Sequence, residues 1–351
     1  MSNHWTFRFT LGCALVVLGC DGDSGADASV PEAGPRDSGL GGDAAPDAET
    51  DSGSDSGLDT GFDASRDSGP RVDGGTVFLL KNATFEGGTA GASPTNGATG
   101  FDGAGGGNEY STEQVYTGAL SSKMFKYPDV RTFTFGGRIG YPSALVEGDE
   151  VWWRAAVFFP TTEDFNANPR LKFFRILKLM HADGSHWGYL DWYINRNGTH
   201  RYIYEPPGVR EDTGESVAAQ RLTVSDYFGS SGDPGSAVIP GEWAEWQLHV
   251  RLHRFPADTQ SDGAFVRFYK DGVLIHERTD IPTLLQDSGG GAYAEEGLFM
   301  TYWNGVGSDF PTDGAWYVDD FTVAVSRDLT GSLETISLGA DSNGYPIIAR
   351  P

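Results

Sequence analysis

The chain has 351 residues, of which 49 are Asp or Glu and 25 are Lys or Arg, so its formal charge is −24. Broad binding to nucleic acid is excluded, because such binding needs Lys and Arg clustered against the phosphates. Aromatic residues make up 13% of the chain, a content that excludes a protein without any folded core. Cys13 and Cys20 are the only cysteines, so disulfides cannot hold the folded part together.

The first twenty residues have the layout of an export signal. Arg8 is the only residue with a formal charge among them, and an apolar run follows over residues 11–18. This run is shorter than the roughly 20 apolar residues that span a bilayer. The sequence Val-Leu-Gly-Cys that ends at Cys20 resembles a bacterial lipobox, which implies cleavage before Cys20 and acylation of its thiol. We therefore expect an exported protein, lipid-anchored at the bacterial cell envelope or cell surface; an ordinary secretory signal is the alternative.

Residues 21–75 form an acidic segment of Asp, Gly, Ala, Ser and Pro. It holds 14 acidic and 3 basic residues, a net charge of −11, and Asp-Ser-Gly recurs along it. Such a composition cannot bury enough apolar surface to offset its ordering entropy, which predicts a disordered tether. The Asp-Ser-Gly repeats lack the register of a calcium-binding loop. With +1 on residues 1–20, the remaining −14 lies on residues 76–351 (35 acidic and 21 basic residues).

Residues 76–351 predict a single all-β domain. Short runs rich in Val, Ile, Phe, Tyr and Trp alternate with Gly, Pro, Asn and Asp, and no sustained helical period is present. Asp271-Gly272 predicts a hairpin turn between two of these runs. The predicted strands are Val151–Phe159, Leu171–Met180, Tyr189–Asn195, His200–Tyr204, Trp243–Arg254, Ala264–Lys270, Leu298–Trp303 and Trp316–Val325.

The run Trp243–Arg254 alternates strictly between apolar and polar residues. One parity (Ala244, Trp246, Leu248, Val250, Leu252) is apolar and is predicted to face the core. The other parity carries Trp243, Glu245, Gln247, His249, Arg251 and His253 and is predicted to face solvent. Planar donors, acceptors and an aromatic platform suit a saccharide-binding groove, and an ordinary wet sheet face is the alternative.

A second polar line lies on the run Tyr189–Asn195. Tyr189, Asp191 and Tyr193 alternate with Leu190, Trp192 and Ile194, so the three polar residues are candidates for the same groove. Residues 171–180 carry Arg175, but periodicity does not decide which parity of that run points inward.

Several segments resemble concanavalin A-like jelly rolls of bacterial polysaccharide lyases and related carbohydrate-active proteins. They are residues 82–88, 116–123, 148–154, 241–246, 270–274 and 316–320. The resemblance implies an antiparallel β-sandwich over residues 76–351, behind the disordered acidic linker. It does not fix the chemistry, because sandwich modules include lyases, hydrolases and binding modules.

The resemblance also implies candidate catalytic residues. Retaining glycoside hydrolases of this fold carry two carboxylates on one strand, whereas residues 188–193 keep only Asp191, so a retaining hydrolase is disfavoured. A Gln-x-His motif of alginate-lyase-type enzymes is matched at His181, and their Tyr-Asn-Gln motif resembles Tyr302-Trp303-Asn304. This implies His181 and Tyr302 as base and acid, with Arg175 and either Asn304 or Gln247 holding a uronate carboxylate. We expect a polysaccharide lyase; a non-catalytic carbohydrate-binding module is the alternative.

In related jelly rolls an early Glu and a late Asp bind a structural calcium ion, and Glu86 and Asp320 stand at those places. Two ordinary acids at strand ends are the alternative interpretation. We expect no organic cofactor, a monomer, polysaccharide as the partner, and membrane contact only through the N-terminal lipid.

Overall fold

A computed structural model describes residues 76–126, 136–163, 165, 170–195, 198–205, 225–229, 235–255, 263–279, 283–285, 291–300 and 314–349. The predicted signal and tether (residues 1–75) lie outside the described residues. Among the described residues there is no helix of the length and hydropathy needed to cross a membrane.

The described residues form nineteen β-strands. In chain order they are β1 (Val77–Ala83), β2 (Glu109–Ser111), β3 (Ser121–Lys126), β4 (Gly137–Leu145), β5 (Glu150–Phe158), β6 (Arg170–Met180), β7 (His186–Asn195), β8 (His200–Glu205), β9 (Ser225–Phe228), β10 (Trp243–Arg251), β11 (Arg254–Phe255), β12 (Phe265–Lys270), β13 (Val273–Arg278), β14 (Leu284–Leu285), β15 (Tyr293–Phe299), β16 (Gly314–Val325), β17 (Thr335–Ile336), β18 (Gly339–Ala340) and β19 (Pro346–Ile347). Each predicted run except Leu298–Trp303 coincides closely with one of these strands; that run overlaps β15 at its first two residues, and residues 301–303 lie outside the described residues.

Two antiparallel sheets contain most of the strands. The front sheet has the order β4-β15-β6-β7-β8-β9. The back sheet has the order β13-β12-β10-β5-β16-β1-β17, with β3 also paired to β16 and β2 paired to β3. β12 and β13 are joined at Asp271 and Gly272, whose φ angles of 51° and 78° are those that a two-residue hairpin turn requires, so that predicted hairpin is confirmed.

The two sheets pack face to face through aromatic side chains. Phe173 of β6 lies 5.8 Å from Trp246 of β10, and Trp192 of β7 lies 5.0 Å from Phe268 of β12, measured between ring centroids. These residues belong to one cluster of buried side chains that both sheets supply. The predicted all-β antiparallel sandwich is therefore confirmed.

Register shifts in β6 decide which of its residues face the core. The pairing of β6 with β7 shifts between Lys172 and Phe174 and again between Arg175 and Leu177. Phe173 and Phe174 are consequently both fully buried in the core, against strict alternation. Lys172 and Arg175 are left on the outer face, where both contact Asp191 of β7.

The C-terminal residues 339–349, called here the C-terminal cover, lie on the outer face of the back sheet. The indole Nε1 of Trp152 donates to the Pro346 carbonyl at 3.1 Å, and the backbone N of Ile348 donates to Gln247 Oε1 at 2.9 Å. The apolar parity of β10 is buried in the core as predicted. The prediction that its polar parity faces solvent is wrong for Glu245, Gln247 and His249, which are buried. Gln247 bonds to Ile348 of the C-terminal cover, and the His249 ring stacks on Trp152.

Candidate functional site

The outer face of the front sheet carries a group of polar and aromatic side chains around β6 and β7. On β7, Leu190, Trp192 and Ile194 point into the core, as the alternation predicts. The opposite parity presents Tyr189, Asp191 and Tyr193, of which the latter two are fully buried. We call the following set the front cluster: Lys172, Arg175, Lys178, His186, Tyr189, Asp191 and Tyr193.

Arg175 and Asp191 form the centre of the front cluster. The guanidinium Nε and Nη2 donate to Asp191 Oδ1 and Oδ2 at 2.6 and 2.7 Å, a two-point contact between buried groups. Burial alone would lower the pKa of the Arg175 guanidinium, but the Asp191 charge and hydrogen bonds outweigh burial and raise it. Tyr193 Oη donates to Asp191 Oδ2 at 3.0 Å, and Lys172 Nζ lies 3.8 Å from the same oxygen. Asp191 thus fixes three of its neighbours.

Tyr189 lies against the guanidinium of Arg175. The distance from Arg175 Cζ to the centroid of the Tyr189 ring is 3.7 Å, a cation–π contact. Burial raises the pKa of the Tyr189 phenol, more than the neighbouring Arg175 charge lowers it. The hydroxyl therefore stays protonated at neutral pH and can donate a proton.

His186 lies beside Tyr189, with 4.5 Å between the ring centroids. Its Nε2 is 3.2 Å from the Gly188 carbonyl, which can only accept, so Nε2 carries the hydrogen and Nδ1 keeps its lone pair in the neutral ring. Burial, and then the charge of Lys178, lower the pKa of His186. The imidazole is therefore neutral at pH 7 and able to accept a proton.

Lys178 is held by two consecutive carboxylates of β15. Its Nζ pairs with Glu295 Oε1 and lies 3.4 Å from Glu296 Oε1. Neighbouring strand residues normally point to opposite faces. A register shift between Ala294 and Glu296 in the pairing of β15 with β4 brings both carboxylates to the same ammonium.

The predicted catalytic residues do not all lie in the front cluster. Arg175 lies in the front cluster. His181 is buried at the start of the β6–β7 turn, where its backbone N donates to the Ser185 carbonyl at 2.8 Å. Tyr302 and Asn304 lie outside the described residues, so their predicted roles stay predictions.

The predicted substrate-binding residues of β10 do not share a face with those of β7. Trp243, Gln247, His249 and Arg251 belong to the back sheet, and Tyr189, Asp191 and Tyr193 belong to the front sheet. The expectation of a single groove lined by both sets is therefore wrong.

The polar parity of β10 has structural partners on the back sheet. His249 is fully buried, its ring stacks 4.2 Å from that of Trp152, and its Nε2 is 2.8 Å from Glu150 Oε2. Trp243 packs against Tyr116 with 5.5 Å between ring centroids. The polar pattern that suggests a groove instead serves contacts with neighbouring strands and with the C-terminal cover.

The predicted calcium ligands both hold the loop of residues 116–120. Glu86 Oε1 accepts hydrogen bonds from the backbone N of Ala119 and Leu120 at 2.9 and 3.0 Å, and Asp320 Oδ2 accepts from Thr117 Oγ1 at 2.9 Å. Donors thus occupy one oxygen of each carboxylate. No group of three His, Cys, Asp or Glu side chains suited to a metal occurs among the described residues. Calcium at Glu86 and Asp320 stays a prediction.

Five residues of this site are not among the predicted site residues: Lys172, Lys178, His186, Glu295 and Glu296. The register shifts in β6 and β15 place Lys172 and Glu296 where alternation alone does not. A signal for Lys172 was nevertheless present, because Lys172, Arg175 and Lys178 recur every third residue in an otherwise apolar run. In a regular strand, residues three apart point to opposite faces. A β-bulge between them brings them to the same face, so this spacing is consistent with bulges in β6.

No family model matches the chain, and no curated protein matches it. Among solved structures, an endo-β-1,4-glucuronan lyase from the fungus Trichoderma reesei matches at 15% identity and a TM-score of 0.45, over 67% of this chain and 95% of that one. An alginate lyase from Chlorella virus matches at 13% and 0.43, over 63% and 90%. An endo-1,3-β-glucanase from Streptomyces sioyaensis matches at 14% and 0.38, over 71% and 96%.

The structural neighbours are polysaccharide lyases and glucanases. At such low identities and TM-scores the likeness carries no argument about chemistry, which has to be made from the residues of this chain.

Proposed function

We propose that the front cluster binds a uronate-containing polysaccharide and cleaves it by β-elimination. The observation that carries this proposal is the contact between a neutral imidazole, His186, and a protonated phenol, Tyr189, beside the cations Arg175 and Lys178. A proton acceptor, a proton donor and positive charge are the three requirements of such an elimination.

The positive charge acts on the uronate carboxylate. Arg175 is fixed by Asp191, and Lys178 by Glu295 and Glu296, so both cations are held in place before substrate arrives. A carboxylate bound beside them makes the C5 hydrogen of the uronate more acidic, because negative charge developing at C5 is delocalised onto that carboxylate.

The proton transfers then balance without a cofactor or added water. Nδ1 of His186 takes the C5 proton, the C4–O glycosidic bond breaks, and a C4=C5 double bond forms in the new non-reducing end. The departing oxygen takes the proton of the Tyr189 hydroxyl. The proton on His186 returns to the Tyr189 phenolate through solvent and restores both groups.

The carboxylate pair of β15 does not suit a retaining hydrolase. Such an enzyme needs one carboxylate as a nucleophile and the other protonated as the acid. The carboxylates of Glu295 and Glu296 both pair with the ammonium of Lys178, so their oxygens are engaged by that cation instead of facing a glycosidic bond.

A non-catalytic carbohydrate-binding module is the second candidate, and one observation favours it. The three cations Lys172, Arg175 and Lys178 are matched by the carboxylates of Asp191, Glu295 and Glu296. A cluster balanced in this way suits a neutral glycan bound against the partly exposed Tyr189.

One experiment separates the two candidates. The complete chain is incubated with alginate, glucuronan and a neutral β-glucan, and the ultraviolet absorbance of the unsaturated product is followed while affinity electrophoresis measures binding. A lyase increases the absorbance with a uronate polymer. Electrophoretic retardation by a glycan, without an absorbance increase on any polymer, would support the binding module and contradict the β-elimination. Loss of the signal in Tyr189→Phe, with Tyr345→Phe as the control on the back sheet, assigns the activity to the front cluster.

We also propose that the domain is exported and lipid-anchored through Cys20. The support is the signal-like segment that ends in Val-Leu-Gly-Cys, ahead of the acidic residues 21–75. Expression in a bacterium with radiolabelled fatty acid should label the chain, and Cys20→Ser should abolish the label. Labelling that persists in Cys20→Ser would contradict the anchor.

A further inference from the structure

A cavity of about 140 Å³ lies between the outer face of the back sheet and the C-terminal cover. Its sheet side is formed by Arg154 and by Glu245 and Gln247 of β10, and its other side by Ile347 and Ile348, with Gly272 at the hairpin. The volume corresponds to about four or five water molecules. This cavity belongs to the back sheet and is separate from the front cluster.

The polar walls of the cavity are buried and only partly satisfied. Arg154, Glu245 and Gln247 are each no more than 5% exposed. Arg154 donates through Nη1 to the Ala349 carbonyl at 2.9 Å and through Nη2 to Glu245 Oε1 at 3.0 Å. Within the described part of the chain, Arg154 Nε and Gln247 Nε2 have no hydrogen-bond partner. Both donors belong to residues that line the cavity and can bond to an acceptor placed in it.

The chemistry of the walls points to an uncharged hydroxylated ligand. The two N–H donors need acceptor oxygens, while the Glu245 carboxylate accepts and disfavours an anion. The isoleucine side chains offer an apolar surface to carbon-bound hydrogens. A sugar ring combines acceptor oxygens, hydroxyl donors and apolar C–H faces in one molecule of small size.

We propose that this cavity is a binding site for a single neutral sugar residue, distinct from the front cluster. A ligand there contacts both the sheet and the C-terminal cover. Its binding therefore stabilises the packing of the C-terminal cover on the back sheet. A ligand that needs both surfaces binds only while the cover is packed on the sheet, and it favours that state.

The test titrates the complete chain with glucose, mannose, galactose and glucuronate, with calorimetry as the readout. We expect one of the neutral sugars to bind and glucuronate to bind at least roughly tenfold more weakly. Hydrogen exchange at the Ile348 amide, which is bonded to Gln247, should slow when that sugar is present. No binding by any neutral sugar, or a crystal structure showing water alone in the cavity, would overturn the proposal.

Three variants locate the site. Gln247→Glu keeps an acceptor for the Ile348 amide but replaces the unpartnered donor, and should weaken sugar binding by about tenfold or more. Ile347→Phe fills the cavity and should do the same, while Ile336→Phe changes an isoleucine of β17 that does not line the cavity and should bind as the parent does. Thermal unfolding of all three checks that they are folded. Unchanged binding in folded Gln247→Glu and Ile347→Phe would place the sugar elsewhere and contradict the assignment.

Discussion

Arg175 and Asp191 are directly opposite each other in the pairing of β6 with β7, and their side chains meet in a two-point ion pair at 2.6 and 2.7 Å. The pairing of the strands shifts on both sides of this position. The ion pair therefore lies at the register of β6 against β7 in which the cations of β6 are on the outer face of the sheet. It is buried, so removing one partner alone leaves a charge without compensation.

Asp191→Asn should strongly destabilise the fold. The change leaves the buried Arg175 guanidinium without its counter-charge, and the expected loss in the free energy of unfolding is about 3–5 kcal/mol. Urea denaturation of the variant and the parent measures the difference.

The double variant Arg175→Met/Asp191→Leu provides the control for this prediction. It removes both charges and fills the space with apolar atoms, so it should recover most of the stability that Asp191→Asn loses. A loss below about 1 kcal/mol in Asp191→Asn would show that the ion pair is not buried as described.

The proposed elimination has a defined dependence on pH. Burial lowers the pKa of His186 from its ordinary value of 6.5, so the base is neutral and active above that lowered value. Burial raises the pKa of Tyr189 above its ordinary value of 10, so the acid keeps its proton through neutral pH. Activity should rise with pH below 6.5, stay level through neutrality, and fall only above pH 10. Initial rates on the best polymer across this range test the profile.

His186→Gln should lower kcat by about 10²–10⁴-fold, because glutamine can still donate to the Gly188 carbonyl but cannot take the C5 proton. The residual activity should lack the acidic limb of the profile. His253→Gln, at a half-buried histidine beyond β10, is the matched control and should keep the full rate. An acidic limb that persists unchanged in His186→Gln would assign the base to another residue.

Stability should also fall in acid because of His200. This residue is fully buried; its Nδ1 accepts from the Trp192 indole at 3.1 Å and its Nε2 donates to the Ser236 carbonyl at 2.6 Å. Burial lowers the pKa of His200 to about 4 from 6.5. The unfolded state therefore binds a proton first as the pH falls. The stabilising effect is complete above pH 6.5 and is lost between about pH 6.5 and 4, at a total of about 3 kcal/mol.

The control for His200 is His200→Gln, whose amide can serve the same two partners without titrating. Between pH 7 and pH 4 the parent should lose about 3 kcal/mol more than this variant in urea denaturation. Equal losses in both proteins would mean that His200 does not titrate as described. Other buried histidines affect parent and variant alike, so the difference isolates this one.

The sandwich follows from the sequence because alternation and turn residues are local signals. The polar line of β7 and the apolar parity of β10 are each visible in a few consecutive residues. The dipeptide Asp271-Gly272 is sufficient to predict its hairpin turn. What packs against the outward face of a strand is not determined by local sequence. Gln247 contacts Ile348 and His249 contacts Glu150, each about one hundred positions away along the chain, and no pattern within β10 predicts these contacts.

The site is predicted less completely than the fold for the same reason. Tyr189, Asp191 and Tyr193 are found because β7 alternates regularly, whereas Lys178 joins Glu295 and Glu296 only through a register shift in β15. His186 lies just outside the predicted strand Tyr189–Asn195, and its role depends on packing against Tyr189. Contacts of this kind depend on pairing between distant strands.

Gly297 tests how closely the two sheets pack behind the front cluster. A Cβ at this position would lie 2.2 Å from Trp153 Cζ2 and 2.7 Å from the backbone oxygen of Ile176, so neither neighbour can yield without moving the buried indole or β6. Gly297→Ala should therefore lower the free energy of unfolding by about 1–3 kcal/mol or more. Gly140→Ala, on the adjacent strand β4, meets no atom within 4 Å and should be close to neutral. Urea denaturation of the two alanine variants decides the point: equal stabilities would mean that the sheets are further apart at Trp153 than described.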